Sequence, residues 1–144
     1  MNRQTAYTTL MLLGLVPFLA CAFLPVAGVE EVARLGRLDE LLSSYSVAIL
    51  CFLTGIHWAT QLYREDSAPP NLFIVSNVIF LIVWIAYVAS ELQWALGTQL
   101  LAYPLLLAVD FQLFSKGVIS QNYLRMRVAA TGIACFSLLF ILIS

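Results

Sequence analysis

Five stretches of the sequence are each long and apolar enough to cross a lipid bilayer, and this feature constrains the fold more than any other. A helix needs about 20 mainly apolar residues to cross a hydrocarbon core about 30 Å thick. The pattern therefore predicts an all-α integral membrane protein, with residues 1–144 forming a single domain of five transmembrane helices. The predicted helices cover residues of about 7–27, 41–63, 71–89, 94–114 and 125–143.

The overall composition supports lipid as the solvent of this chain. Hydrophobic residues make up 62% of the sequence and charged residues 10%, whereas soluble domains average about 45–50% and about 25%. A water-soluble fold of this length could not bury so much apolar surface, because small domains bury the smallest fraction of their chain. The net charge of −1, without a basic cluster, also excludes nucleic acid as a partner.

Two features of the apolar stretches need an explanation. The first stretch, with Arg3 before it, resembles a secretory signal peptide, but its apolar run continues to Ala27 and is long enough to span the membrane. Pro17 and Pro104 fall inside the first and fourth stretches. We expect them to kink these helices and not to end them, because neighbouring helices can satisfy the freed carbonyl groups.

The connections between the stretches carry most of the charge and predict the orientation. Residues 28–40 have a spacing that permits a short amphipathic surface helix, and residues 64–70 predict a turn ended by two prolines. With a cytoplasmic N-terminus, five of the seven Lys and Arg residues lie on the inner side: Arg3, Arg64, Lys116, Arg125 and Arg127. The positive-inside rule therefore predicts a cytoplasmic N-terminus and an outside C-terminus.

This topology places polar residues from four helices at one depth in the inner half of the membrane. At a rise of about 1.5 Å per residue, His57 lies about 9 Å and Asp110 about 6 Å from the inner ends of their helices. Asn77, Arg125 and Arg127 reach a similar depth from the third and fifth helices. Ionisable residues inside a membrane are costly and usually pair with one another. We therefore predict that Asp110 pairs with Arg127 or Arg125, or bonds to His57.

Helical spacing extends this candidate site along two polar faces. Such faces turn toward other helices or a wet cavity, because lipid cannot satisfy polar groups. Residues three, four, seven or eleven positions apart share a face, which groups Thr54, His57, Trp58 and Gln61 on the second helix and Gln99, Tyr103 and Asp110 on the fourth. The predicted binding site or intramembrane polar network comprises His57, Asp110, Arg125, Arg127, Asn77, Thr54, Trp58 and Tyr103.

Less specific interpretations of the same residues remain open. An Asp–Arg pair between two helices can simply stabilise their packing, and arginines at a helix start often extend toward the headgroups. His57 beside Trp58 near a helix end also fits an interfacial position.

Catalytic chemistry has little support in the sequence. There is no recognisable arrangement of nucleophile and base, no glycine-rich phosphate loop and no metal-ligand spacing, so we predict no catalytic residues, no metal site and no enzymatic activity. Cys21, Cys51 and Cys135 lie in apolar runs without a CxxC motif and are expected to act as small hydrophobic residues. His57 is the only histidine, so bis-histidine haem ligation would need a second protomer.

Several motifs resemble those of a family of small bacterial membrane proteins. They are Gly14-Leu15-x-Pro17-Phe18, then Tyr45-x-x-x-Ile49-x-x-Phe52-x-x-Gly55-x-His57-Trp58, then Asp110, and finally Tyr123-Leu124-Arg125-x-Arg127 followed by Thr131. The family is known as domain of unknown function 3429 and includes mitochondrial transmembrane protein 69. The resemblance implies five helices and a bacterial inner (plasma) membrane or mitochondrial inner membrane location, but no activity. The chain departs from the family pattern at Thr54, where a second glycine is usual, and at Asn122, where a tryptophan is.

Three functional classes are compatible with the sequence. The favoured one is an accessory or assembly component that packs in the lipid bilayer against a larger inner-membrane protein complex or as a homo-oligomer. The second is a protein that binds the head group of a quinone or lipid through the inner polar layer. No other cofactor is expected. The third is a proton- or ion-coupled carrier with His57 and Asp110 as a relay, although the chain shows no inverted repeat of the kind many carriers contain.

Overall fold

Five helices follow the five apolar stretches in the computed structural model of the chain, which describes residues 3–64 and 71–144. Apart from Arg64, the predicted turn at residues 64–70 lies outside this described part. Among the described residues, all five helices are long and apolar enough to cross a membrane, as predicted. They are α1 (Arg3–Phe23), α2 (Leu38–Tyr63), α3 (Leu72–Ala89), α4 (Leu92–Ser115) and α5 (Gln121–Ile143).

Local signals explain where the helix ends differ from the predicted ones. α1 ends before the predicted residue 27, because the chain turns into a short 3-10 helix at Pro25–Ala27. Gly28 ends this turn with a φ of 84°, a left-handed conformation that glycine adopts without steric cost. α5 begins four residues earlier than predicted, because the Ser120 hydroxyl accepts a hydrogen bond from the Tyr123 amide over 3.3 Å and caps the helix.

The connection between α1 and α2 is a β-hairpin and not the short surface helix that its spacing permits. Its antiparallel strands are β1 (Glu31–Val32) and β2 (Gly36–Arg37). Arg34, between the two strands, has a φ of 70°, and Gly36, the first residue of β2, has a φ of 94°. A right-handed helix excludes both conformations. Arg37, the last residue of β2, donates to Asp39 over 2.6 Å. This hydrogen bond and the charge of Asp39 raise the pKa of Arg37.

The helices pack as a closed ring in chain order, with each helix contacting the next and α5 contacting α1. α2 also contacts α4 across the ring, so these two helices form its centre. The most deeply buried apolar side chains lie where α2 and α4 meet α1 and α5, and they include Phe18, Leu42, Leu50, Leu106 and Leu138. α3 is peripheral, since few of its residues are buried. The buried polar side chains of α2 and α4 therefore face one another.

Both proline-containing helices continue through their prolines, as predicted. Pro104 has no N–H group, so the carbonyl of Leu100 lacks its usual helical donor. The thiol of Cys135 on α5 lies 3.9 Å from this carbonyl. In α1, the carbonyl of Gly14, three residues before Pro17, accepts a hydrogen bond from the Tyr45 hydroxyl over 2.9 Å. Neighbouring helices thus supply donors beside both prolines.

Candidate functional site

The carboxylate of Asp110 lies between two basic side chains at one end of the bundle. His57 Nε2 on α2 lies 2.9 Å from its Oδ1 atom, and Arg127 Nε on α5 donates to its Oδ2 atom over 2.8 Å. All three residues are at least 96% buried. The pairing predicted for Asp110 is therefore confirmed, with His57 and Arg127 as simultaneous partners. We refer to His57, Asp110 and Arg127 as the triad.

Three helices are needed to build the triad. α2 and α4 run in the same direction, separated along the chain by α3, and so bring His57 beside Asp110. The Ser120 cap starts α5 early enough to place Arg127 in its second turn. An aspartate oxygen left without a donor at this depth would cost about 1–3 kcal/mol or more, so the two basic residues are also structural requirements.

Three of the predicted site residues lie outside this network. Asn77 is exposed, and its amide donates to the Phe73 carbonyl in its own helix over 2.9 Å. Arg125 is exposed because successive helical residues are about 100° apart, which turns it away from the face that carries Arg127. Trp58 is 41% exposed, and its ring packs edge-on against Phe73 at 4.6 Å. These three residues, which the sequence assigned to the polar network, therefore make no hydrogen bond to the triad.

Thr54 and Tyr103 are buried, as predicted, but they do not contact the triad through hydrogen bonds. The Thr54 hydroxyl donates to the Cys51 carbonyl one turn earlier in α2, over 2.9 Å. The Tyr103 hydroxyl donates to the Ser46 carbonyl over 3.3 Å and lies 3.4 Å from the Ser46 hydroxyl. Tyr103 therefore belongs to a different polar cluster.

This second cluster links α2 to α4 nearer the hairpin end of the bundle. In addition to the Ser46–Tyr103 contacts, Gln99 Nε2 donates to the Ser43 hydroxyl over 2.8 Å. Leu50 and Leu106 are buried between this cluster and the triad. Sequence reasoning missed Ser43 and Ser46, although both lie at helical spacing on the α2 face that carries His57.

A cavity of about 340 Å³ lies between α1, α2 and α5, with Tyr103 of α4 in its wall. Its lining is mostly apolar and includes Leu15, Phe18 and Leu53. Polar groups are concentrated on α5, where Arg127 and Thr131 lie one helical turn apart. The Arg127 Nη2 and Thr131 Oγ1 atoms are buried, and neither has a hydrogen-bond partner among the described residues. We call this space the apolar cavity.

A second cavity, of about 360 Å³, lies on the other side of the triad, where the connection between α4 and α5 passes the end of the bundle. His57 and Asp110 contribute to its lining, together with Ser120. The His57 Nδ1 atom is buried without a partner among the described residues. The two cavities share a wall, which is formed by Tyr7, Ile56 and Tyr123.

The described part of the chain contains no group of three or more His, Cys, Asp or Glu side chains that could hold a metal ion. Cys21, Cys51 and Cys135 are free thiols. The site offers hydrogen bonding from buried donors and charge pairing around one carboxylate.

Comparison with known proteins places the chain in a family without linking it to an activity. The sequence model of a family described as "Protein of unknown function (DUF3429)" matches residues 3–143. No curated protein and no solved structure matches the chain. The triad and both cavities lie inside the matched range.

Proposed function

Because this chain belongs to the DUF3429 family of proteins of unknown function, its role has to be inferred from its own geometry, and we propose that it binds an amphiphile. In this proposal, the head group meets Arg127 and Thr131, and the apolar chain occupies the apolar cavity. Ligand sites are typically apolar cavities with a few well-placed polar groups, and the lining of this cavity has that character.

The observation that carries the proposal is the pair of unused polar groups on the cavity wall. Arg127 Nη2 and Thr131 Oγ1 are both buried without a partner in the described part of the chain, and both residues line the apolar cavity. Buried polar groups in native proteins are nearly always hydrogen-bonded, so each exception calls for an explanation. A bound head group that accepts hydrogen bonds would satisfy both donors at once.

The lipid-facing surface of the bundle gives the ligand a route. Leu10 on α1 and Phe52 on α2 both line the apolar cavity, yet their exposed fractions are 69% and 65%. In a bilayer, apolar side chains exposed on a membrane-spanning helix face lipid. The proposed ligand therefore enters sideways from the hydrocarbon region, between α1 and α2.

We propose a cytoplasmic N-terminus and a location in a bacterial inner membrane, in keeping with the distribution of basic residues. Arg64, Lys116 and Arg125 lie at helix ends on the triad side of the bundle, whereas Arg34 and Arg37 belong to the hairpin at the opposite side. The positive-inside rule favours this orientation. It would place the triad nearer the cytoplasm.

The other two functional classes stay predictions. An accessory role in a larger membrane complex or a homo-oligomer depends on partners that no contact of the described residues identifies. A proton- or ion-coupled carrier would use the triad between the two cavities. It would also need a continuous path for the ion and the substrate across the membrane. The unused donors in the apolar cavity favour binding over both.

Purification in mild detergent, with mass spectrometry of extracted small molecules, tests the proposal. Thr131→Val keeps the shape of the side chain but removes the unused donor, so the retained amphiphile should fall at least fivefold while the protein stays folded. Ser137→Ala is the matched control, because Ser137 is a buried, unpartnered hydroxyl on the same helix that does not line the apolar cavity. No retained amphiphile in the parent protein, or equal retention in both variants, contradicts the proposal. A stoichiometric protein partner would instead support the accessory role.

A further inference from the structure

We infer that the ligand of the apolar cavity is a single-chain carboxylic acid, such as a free fatty acid, held by its ionised carboxylate. This inference rests on the proposed function and adds the chemical class of the ligand. It follows from three properties of the site: the edge of Arg127 that is left free, the charge balance of the triad and the size of the cavity.

The free edge of Arg127 fits a planar oxyanion. Its Nε atom donates a hydrogen bond to Asp110, and its buried Nη2 atom has no partner among the residues that the structure describes. Nη1 and Nη2 together form the outer edge of the guanidinium, whose geometry matches the two oxygens of a carboxylate. Thr131, four residues later on the same helical face, presents a further hydroxyl to a group bound at this edge.

The charges of the triad show how such an anion could be buried. With a neutral His57, Asp110 and Arg127 cancel, so a bound carboxylate would leave one uncompensated negative charge in a low-dielectric region. A proton on His57, whose Nε2 lies 2.9 Å from Asp110, removes this excess. The charges then alternate in sign from protonated His57 through Asp110 and Arg127 to the ligand carboxylate.

The groups around His57 do not provide another compensating charge. Within residues 3–64 and 71–144, the charged or titratable side chains around His57 are Asp110 of α4, Arg127 and Tyr123 of α5 and Tyr7 of α1. Among these, only Arg127 is a cation. A doubly charged phosphate monoester would therefore leave an excess negative charge even with His57 protonated, so the charge balance favours a monoanion. Among monoanions, a carboxylate is the planar group that matches the free edge of Arg127.

The cavity size favours one chain. Ligand pockets usually range from about 300 to 1,000 Å³, and this cavity, at about 340 Å³, lies at the lower end. It has room for one hydrocarbon chain beside the head group, with the remainder extending past Phe52 into lipid.

Binding measurements with matched probes test the inference. The purified protein, stripped of bound lipid and reconstituted in nanodiscs, is titrated with palmitate and with methyl palmitate, which has the same chain and a carbonyl but no charge. We expect palmitate to bind at least tenfold more tightly than its methyl ester. His57→Gln, which keeps a polar side chain but cannot carry the charge, should lower this preference at least tenfold. Arg125→Gln removes an exposed cation from the same helix and should change the preference by less than twofold.

A second variant changes the charge in the opposite direction. Asp110→Asn removes one negative charge, so palmitate should be preferred more strongly than in the parent protein. If this variant is unstable alone, palmitate should raise its melting temperature more than that of the parent, because the ligand replaces the missing carboxylate as a partner for Arg127.

The outcomes separate the ligand class from the proposed function. Equal or tighter binding of methyl palmitate, or of the neutral decylubiquinone, overturns the carboxylate inference and leaves amphiphile binding intact. An unchanged preference in both His57→Gln and Asp110→Asn also overturns it. If none of these probes binds the parent protein, both the inference and the proposed function are wrong.

Discussion

Arg127 on α5 donates from Nε to the Oδ2 atom of Asp110 on α4 over 2.8 Å, although the two residues are 17 positions apart in the chain. Removing both charges from water costs several kcal/mol for each ion, and close pairing repays this cost only with good geometry and further hydrogen bonds. His57 provides the further contact on Oδ1. Arg127 also lines the apolar cavity, and its buried Nη2 atom has no hydrogen-bond partner among the described residues. One residue thus belongs to both the buried ion pair and the proposed binding site.

Removing the Asp110 carboxylate should destabilise the protein strongly. Asp110→Ala leaves the charge of Arg127 buried without its partner, which typically costs about 3–5 kcal/mol. Glu91→Ala is the control, because Glu91 is exposed at the start of α4 and makes no side-chain cap. Thermal unfolding in detergent measures both variants. Small and equal shifts in melting temperature would show that the carboxylate is not held in a buried pair.

His57→Gln separates ligand binding from folding. Glutamine is a polar side chain of similar size and can still donate to Asp110, so the free energy of unfolding should change by less than about 1.5 kcal/mol, the net worth of one hydrogen bond. The retained amphiphile, measured by mass spectrometry, should fall severalfold. If the variant folds, keeps its ligand and fully complements a gene deletion, His57 has no functional role. A parallel loss of stability and ligand would make it a structural residue.

Filling the apolar cavity should block the ligand while leaving the triad intact. Ala130 lines the cavity, so Ala130→Leu places additional carbon atoms inside it and should at least halve ligand retention. Burying these atoms should keep or raise the melting temperature, since each buried methylene contributes about 0.8 kcal/mol. Ala129→Leu changes the preceding residue, which is exposed and does not line the cavity, and should retain the ligand. Unchanged retention in Ala130→Leu would place the ligand elsewhere.

The proposed orientation can be tested with reporters at the C-terminus. With an odd number of spans and a cytoplasmic N-terminus, alkaline phosphatase fused after Ser144 should be active, because it matures only outside the cytoplasm. Green fluorescent protein exported to the same place through the general secretion pathway should not fluoresce. The reverse pattern would mean that the positive-inside argument fails for this chain.

The five helices could be predicted because their signal is local. Each apolar run identifies a span regardless of its neighbours, since the bilayer requires every spanning segment to satisfy its own backbone. The predicted helix boundaries and the predicted surface helix were wrong where local backbone conformation determines the structure. The hairpin depends on left-handed conformations at Arg34 and Gly36, and the start of α5 depends on the Ser120 cap. Neither feature is visible in a hydropathy pattern.

The candidate site was only partly predictable for a different reason. Depth along a helix follows from counting residues, so His57, Asp110 and Arg127 could be placed in one layer from the sequence. Depth does not say which way a side chain points. Asn77 shares that layer but is exposed on α3 and bonds within its own helix.

The sequence by itself therefore determined the number of spans, the depth of the ionisable residues and the need of Asp110 for a basic partner, because each follows from the cost of polar groups in lipid. Only the tertiary structure decided that both His57 and Arg127 bond to Asp110. It also decided that Arg127 borders an apolar cavity. These features depend on how the helices rotate and pack against each other, and helix packing is set by the combined shapes of many side chains from distant parts of the chain.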